Sequence, residues 1–182
     1  MIRVLLIHAG KIPHYRVPIY GYLSNYLRRY DFDMMVVSDG IEAGSPHAIE
    51  FQYTEMRLSV FSIARFIYRH HIEVIIDYME LRHLYLFPTY LIAKGIMRRK
   101  IIYWGQGRDL LDKESRLKNL AYASEQAMCD AIILYSEHLT KYVPPRFHKK
   151  VFVANNTLYL GYRGLPAGVK EENILAEYGI KT

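Results

Sequence analysis

One cysteine in 182 residues, Cys129, excludes an intramolecular disulfide and a cysteine-built zinc site. It stands beside Ala127 and Met128 in an apolar stretch and reads as a buried thiol, which suits a reducing cytoplasm. Long hydrophobic runs are missing too. The longest, Leu84 to Ala93, contains Pro88 and falls far short of the roughly 18 residues a membrane span requires. Met1 to Ala9 is apolar, but Lys11 interrupts it too soon for a signal peptide. There is no Gly-x-x-x-x-Gly-Lys-Ser/Thr phosphate loop, no Gly-x-Ser-x-Gly elbow, no internal repeat and no low-complexity segment. Aromatic and basic residues do not interleave along one strand face, so no nucleic-acid partner is expected.

What is present describes a globular protein. The chain is 51% hydrophobic and 23% charged, and long enough for one domain with a real core. Net charge is +6 and the pI is near 9.3, which favours acidic partners: phosphorylated small molecules, nucleic acid or an anionic membrane surface. The clusters Arg98-Arg99-Lys100 and His148-Lys149-Lys150 are short and precede expected strands, where a solvated edge is the plainer reading.

Periodicity gives the elements. Ile2 to Ile7 is a buried strand. Val17 to Arg29 has apolar residues at helical spacing, Phe32 to Val37 is a second strand, and Asp39-Gly40 marks a turn. Ala48 to Tyr53 is expected as a short strand, Ser59 to His70 as a helix and Glu73 to Asp77 as a strand. His83 to Met97 is apolar on nearly all sides and predicts a buried helix, with Pro88 tolerable only near its first turn. Lys100 to Trp104 and Ala131 to Tyr135 are strands around a helix at Leu117 to Ala127; a short helix at Glu137 to Tyr142 and a strand at Val151 to Ala154 follow. This alternation is the signature of βαβ units. The expected fold class is therefore α/β: a Rossmann-like, doubly wound, mainly parallel sheet with helices on both faces. Asn156 to Gly168 is rich in glycine, and Glu171 to Tyr178 is a helix with no strand behind it, which predicts a chain that stops at a domain boundary.

In such a sheet, ligands bind outside the carboxyl ends of the strands. Three loops should meet there: Ala9 to Arg16, Tyr78 to His83 and Gly105 to Asp109. They offer His14, Tyr15, Arg16, Glu80, Arg82, Gln106, Arg108 and Asp109. Carboxylates and amides bind hydroxyls, arginine binds phosphate, and tyrosine stacks on a sugar face, so the set suits a polyhydroxylated ligand. Gly105 and Gly107 allow close approach to the backbone, although glycines placed only for a tight turn would look the same. Tyr15 and Tyr20 could instead close the core below the loop. Tyr22, Tyr26 and Tyr30 recur at helical spacing and read as one packed face. The histidines read as structural or surface residues. His70 and His71 point about 100° apart on a helix, and His8 and His14 lack a third ligand nearby, so no metal site is expected.

Several segments together resemble the N-terminal half of a GT-B glycosyltransferase of the family 4, group 1 kind. They are Ile12-Pro-His-Tyr-Arg-Val-Pro18, Tyr103-Trp-Gly-Gln-Gly-Arg108, Cys129-Asp-Ala-Ile-Ile-Leu-Tyr-Ser-Glu137, Val153-Ala-Asn-Asn-Thr-Leu158 and the closing Glu171 to Ile180. The resemblance implies an enzyme that transfers a sugar from a nucleotide-sugar donor to a glycan, lipid-linked or small-molecule acceptor, with retained configuration. It divides the chain into an acceptor domain, residues 1–156, and an interdomain linker and helix, residues 157–182, leading to a C-terminal donor-binding domain absent here. No cofactor is expected within the chain. Gly10 to Arg16 would match the loop facing the donor phosphates and the acceptor, and Gly105 to Arg108 the loop bordering the cleft. Members often have histidine where this chain has Gln106, which can bind a hydroxyl but cannot carry a proton near neutral pH. Ser136 and Glu137 would sit at the next strand end, where a helix N-cap is the simpler role.

The implied parent is cytoplasmic, with peripheral association at the inner membrane face left open, and this chain alone should not turn over. Two other readings fit the same residues. One is a self-contained Rossmann-like module for a small phosphorylated ligand. The other is an interaction domain using basic patches at a membrane surface.

Overall fold

A computed structural model describes residues 1–44, 46–78, 81–107 and 116–154, the side chains of residues 81, 82, 116 and 117 excepted. The expected segments after Asn155, including the linker and the helix at Glu171 to Tyr178, lie outside the described residues, as do Glu80, Arg108 and Asp109.

Seven parallel strands form one sheet in the order β3-β2-β1-β4-β5-β6-β7. The strands are β1 Ile2–His8, β2 Phe32–Ser38, β3 Gln52–Glu55, β4 Val74–Asp77, β5 Lys100–Gly105, β6 Ala131–Leu134 and β7 Val151–Val153. β1 lies between β2 and β4, with Leu6 beside Val36 and Ile76. Being covered on both faces, it reads as an unbroken apolar run.

The two faces carry separate cores. Val4 and Leu6 pack with Val17 and Tyr20 of α1 (Val17–Arg28). Leu5 and Ile7 pack with Ile63, Phe66 and Ile67 of α2 (Val60–Arg69) and with Leu86, Tyr90 and Ala93 around α3 (Phe87–Leu91). Helices on both faces of a parallel sheet make this a Rossmann-like α/β fold. α1 starts with Pro18 in its first turn, where a missing N–H costs nothing. α2 starts with a reciprocal cap: Ser62 N–H donates to Ser59 Oγ at 3.1 Å and Ser59 N–H donates to Ser62 Oγ at 2.9 Å. α4 (Arg116–Met128) precedes β6.

Three expectations need correction. The single buried helix over His83 to Met97 is instead a 3-10 segment (Leu81–Leu86), the short α3, and a π-turn at Ile92–Ile96. His83 leaves helical geometry and Pro88 restarts the helix, so Leu86, Thr89, Tyr90 and Ala93 are buried while Leu84, Tyr85, Leu91 and Ile96 face outward. The strand expected at Ala48 to Tyr53 is β3, shifted to Gln52–Glu55, because pairing with Met35 to Ser38 fixes the register. Tyr22, Tyr26 and Tyr30 are not a packed face. They are exposed, and their rings touch each other at centroid distances of 6.2 and 5.3 Å, because Val17, Tyr20, Gly21 and Ser24 supply the buried side of α1.

The two edges of the sheet turn differently. On the amino edge, Asp31, His71 and Arg98 adopt left-handed backbone angles just before β2, β4 and β5. On the carboxyl edge that conformation belongs to Gly10, Gly40 and Gly107.

Candidate functional site

The strand order reverses between β1 and β4, the place where an open α/β sheet leaves a crevice at its carboxyl edge. A cavity of about 390 Å³ lies there, lined by His8 at the end of β1 and Gly10 after it, by Tyr15 and Arg16, and by Asp77 and Tyr78 at the end of β4. Lys11, Glu42, His83 and Tyr135 complete most of its wall. The centre of the site is therefore the β1–β4 boundary, one strand away from the Gly105 turn that the sequence brings forward.

Arg16 is held by aromatic residues from three elements. Its Nη1 donates to Tyr78 Oη at 2.8 Å and its Nη2 to Tyr135 Oη at 3.2 Å. The guanidinium also lies 5.0 Å from the Tyr78 ring centre, 5.7 Å from that of Tyr135 and 5.6 Å from that of Tyr15. Cation–π contacts of this kind hold a guanidinium without neutralising it. Among the described residues no carboxylate pairs with it. Burial works against its charge, but the surrounding phenol oxygens outweigh that and keep it protonated.

The phenols themselves stay neutral. Burial pushes the Tyr20 and Tyr78 hydroxyls up from their ordinary range, against the pull of Arg16. Tyr20 Oη donates to Tyr78 Oη at 3.2 Å and lies 2.7 Å from His8 Nδ1. A phenol has one proton, so with Tyr20 donating to Tyr78, His8 Nδ1 is the donor to Tyr20. Trp104 of β5 stacks on the Tyr78 ring at 5.1 Å and 25°.

The Gly10 turn is shaped for access. Its N–H donates to Asp39 Oδ2 at 3.1 Å, its φ is +85°, and nothing lies within 4 Å of where a Cβ would stand. His14 is exposed and sits 3.5 Å from Glu42. Tyr15 is 41% exposed at the cavity, whereas Tyr20 is fully buried, as a core-closing residue should be.

The Gly105 turn borders the site from β5. A Cβ on Gly105 would fall 2.7 Å from Tyr103 Oη, and that oxygen accepts from Gly107 N–H at 3.0 Å. Gly107 O accepts from Gln126 Nε2 at 2.7 Å. The glycines therefore serve tight geometry around Tyr103, and the exposed Gln106 is the residue presented outward. Ser136 stands at the N-cap position after β6, but its hydroxyl pairs with His138 Nδ1 at 3.0 Å and makes no cap bond.

Of the residues named from sequence, Gly10, Tyr15 and Arg16 line the cavity and His14 stands at its rim beside Glu42. Gly105 and Gln106 lie on the neighbouring turn. Arg82 belongs to the 3-10 segment, and Glu80 and Arg108 lie outside the described residues. Sequence reasoning passed over His8, Asp77, Tyr78 and Tyr135. Their common signal is position: each ends a strand or follows one directly. Among the described residues no group of three or more His, Cys, Asp or Glu could hold a metal ion, and no helix is long and apolar enough to cross a membrane.

A second polar group lies deeper. Asp77 accepts a hydrogen bond from Tyr90. Glu125 of α4 is 3% exposed, and burial, with the nearby Asp77 charge, pushes its carboxyl up to about 8.

No family model matches the chain, and no curated protein matches it either. Solved structures do. A glycosyltransferase from Rickettsia africae ESF-5 superposes over 100% of this chain and 50% of its own, with a TM-score of 0.59 and 12% identity. A Listeria monocytogenes protein described as a UDP-N-acetylglucosamine 2-epimerase superposes over 83% of this chain and 44% of its own, with a TM-score of 0.52 and 12% identity. The chain spans about half the length of these relatives in structure, and at this identity the likeness is one of fold: a Rossmann-like α/β domain of the type that makes up half of a glycosyltransferase.

Proposed function

We propose that this chain is the acceptor-side domain of a GT-B glycosyltransferase, of the family 4, group 1 kind. The parent enzyme would transfer a sugar from a nucleotide-sugar to a glycan, lipid or small-molecule acceptor, with retained configuration. The observation that carries the reading is the Arg16 guanidinium, held between Tyr78 and Tyr135, with no carboxylate partner among the described residues, at the edge of a hydroxyl-lined cavity. The likeness in fold to half of a glycosyltransferase supports it.

In this reading residues 1–156 bind the acceptor and residues 157–182 lead to a donor-binding domain beyond this chain. Tyr15, His14 and Gln106 orient acceptor hydroxyls. The open Gly10 turn, its N–H held by Asp39, leaves room for the ligand at the cavity mouth. Arg16 offsets negative charge as the nucleoside diphosphate departs, the kind of preorganised electrostatic help that dominates such transfers. Glu80, Arg82 and Arg108 are proposed as further substrate-binding residues on chemical grounds alone, a carboxylate for hydroxyls and guanidinium groups for phosphate. The protein works in the cytoplasm, and the chain alone does not turn over.

The test uses Trp104, the only tryptophan, which stacks on Tyr78 beside Arg16. Acceptor-type sugars and sugar phosphates should change its fluorescence. UDP-glucose, UDP-N-acetylglucosamine and GDP-mannose should release no nucleoside diphosphate over hours. Rapid transfer by the 182-residue chain would overturn the inactivity, and silence toward every sugar and sugar phosphate would overturn the acceptor role. The same tyrosine-held guanidinium also suits a self-contained module for a small phosphorylated ligand. Micromolar affinity for a free sugar phosphate, with none for unphosphorylated saccharides, would favour that second reading.

A further inference from the structure

We propose that a second cavity, between α4 and residues 141–145, is a binding site for one carboxylate-bearing sugar ring, a hexuronate. Its volume is about 300 Å³. α4 supplies Asn119, Tyr122 and Gln126 to its wall. Lys141, Tyr142 and Pro144 face them from the end of the 3-10 segment Glu137–Tyr142 and the residues after it. None of these six lines the first cavity.

The observation that points to a ligand is Gln126. It is 1% exposed, and its Nε2 donates to Gly107 O at 2.7 Å. A carbonyl oxygen only accepts, so this bond fixes which end of the amide is which. The Oε1 atom is buried and has no hydrogen-bond partner among the described residues. Gly107 is itself fixed, since its N–H donates to Tyr103 Oη at 3.0 Å. A rigid side chain in a cavity wall thus carries an acceptor that calls for an O–H or N–H donor.

Charge and shape narrow the donor. Lys141 is exposed, its Nζ lies 5.0 Å from the centre of the Tyr142 ring, and among the described residues no carboxylate pairs with it. It is the one cation among the described residues of the wall, and they include no Asp or Glu. A lysine is a point charge and suits a singly charged carboxylate, whereas a phosphate monoester carries nearly two charges and favours an arginine fork. Tyrosine rings and a proline offer flat apolar surfaces to a sugar face, and the amides of Asn119 and Gln126 suit its hydroxyls. The volume stands at the low end of the roughly 300–1,000 Å³ of small-ligand sites, room for one substituted ring rather than a nucleotide or a peptide. A water alone would satisfy Oε1 but would account for neither the cation nor the aromatic wall.

The two cavities flank one turn. Gly107 lines the second, and Tyr135 of the first donates its N–H to Gly105 O at 3.3 Å. A single acceptor chain would therefore cross the Gly105 turn, with its reacting sugar in the first cavity and an acidic sugar in the second. That step, which makes the acceptor an acidic oligosaccharide, rests on the transferase reading; the binding of a hexuronate does not.

The experiment is a nuclear magnetic resonance titration of the isotope-labelled 182-residue chain with methyl glucuronide, methyl glucoside and glucose 6-phosphate. Methyl glucuronide should shift the side-chain amide of Gln126 and the backbone signals of Gly107 and Lys141 to Val143. The neutral glucoside should bind at least fivefold more weakly, and added NaCl should narrow the difference. Lys141→Gln, at an exposed site, should lower glucuronide affinity by about fivefold while leaving the glucoside unchanged, and Lys141→Arg should restore most of it. Gln126→Met should weaken both sugars, with circular dichroism checking its fold; the Lys141 variants decide the matter should it unfold. Arg16→Ala, which alters the first cavity, should leave these shifts in place. The proposal is overturned by glucuronide that leaves the Gln126 and Lys141 signals unmoved, by equal affinity for the glucoside, or by a glucuronide affinity insensitive to Lys141→Gln. Tighter binding of glucose 6-phosphate here, or loss of the shifts in Arg16→Ala, does so as well. The acceptor role of the first cavity is read separately through Trp104, so either reading can fail alone.

Discussion

The Arg16 guanidinium donates to Tyr78 Oη at 2.8 Å while Trp104 stacks on the same ring. One tyrosine thus couples the cation of the site to the only indole in the chain. Arg16→Ala should weaken binding of a sugar phosphate, read by tryptophan fluorescence, by about ten- to a hundredfold, the range for a lost charged hydrogen-bonding pair. Arg16→Lys should fall between, because lysine keeps the charge but loses the two-pronged geometry. Undiminished binding by the alanine variant would remove Arg16 from the site.

Glu125 makes stability depend on pH. The folded state keeps a proton on this buried carboxyl up to about 8, whereas the ordinary value is 4.5. Its contribution is complete below pH 4.5 and is lost as pH rises toward 8, because the unfolded chain then gives up a proton that the native state holds. Urea unfolding of the wild type should lose about 4 kcal/mol across that window relative to Glu125→Gln. Parallel pH profiles for the two proteins would refute the assignment.

Gly105→Ala should destabilise by about 2 kcal/mol, since the new Cβ would meet Tyr103 Oη at 2.7 Å in a packed core. Adding Tyr103→Phe removes that oxygen along with the acceptor for Gly107 N–H. The double variant should be more stable than the sum of the two losses predicts, as expected for residues in contact. Simple additivity in thermal unfolding would argue against the clash.

Cys129 should be silent to thiol reagents in the native protein. Burial pushes its thiol up to about 12, and its Sγ–H donates to Glu125 O at 3.1 Å. Labelling by Ellman's reagent at pH 8 should therefore follow global unfolding and rise with urea along the unfolding curve. A fast native-state reaction would show that the α4–β6 junction opens locally.

The layered sheet was legible from sequence because buried parallel strands are short apolar runs between helical repeats, and β1, β4 and β5 follow that rule closely. The segment from His83 to Met97 was not. An apolar stretch looks the same whether one helix is buried all round or a broken one shows half its side chains to solvent, and only packing against α2 decides. The site was half legible. Arg16 and Tyr15 share a loop with turn residues, so composition finds them. Tyr20, Tyr78 and Tyr135 come from a helix and two strand ends up to 115 positions apart in the numbering, and nothing local announces that their hydroxyls meet around one cation.

The left-handed turns before β2, β4 and β5 fall on Asp31, His71 and Arg98, residues for which that backbone conformation carries a steric penalty. At the opposite edge, glycines already occupy such positions. A protein engineer can therefore gain thermal resistance by placing glycine at the first set, far from the cavity, while the second set leaves no comparable margin to recover.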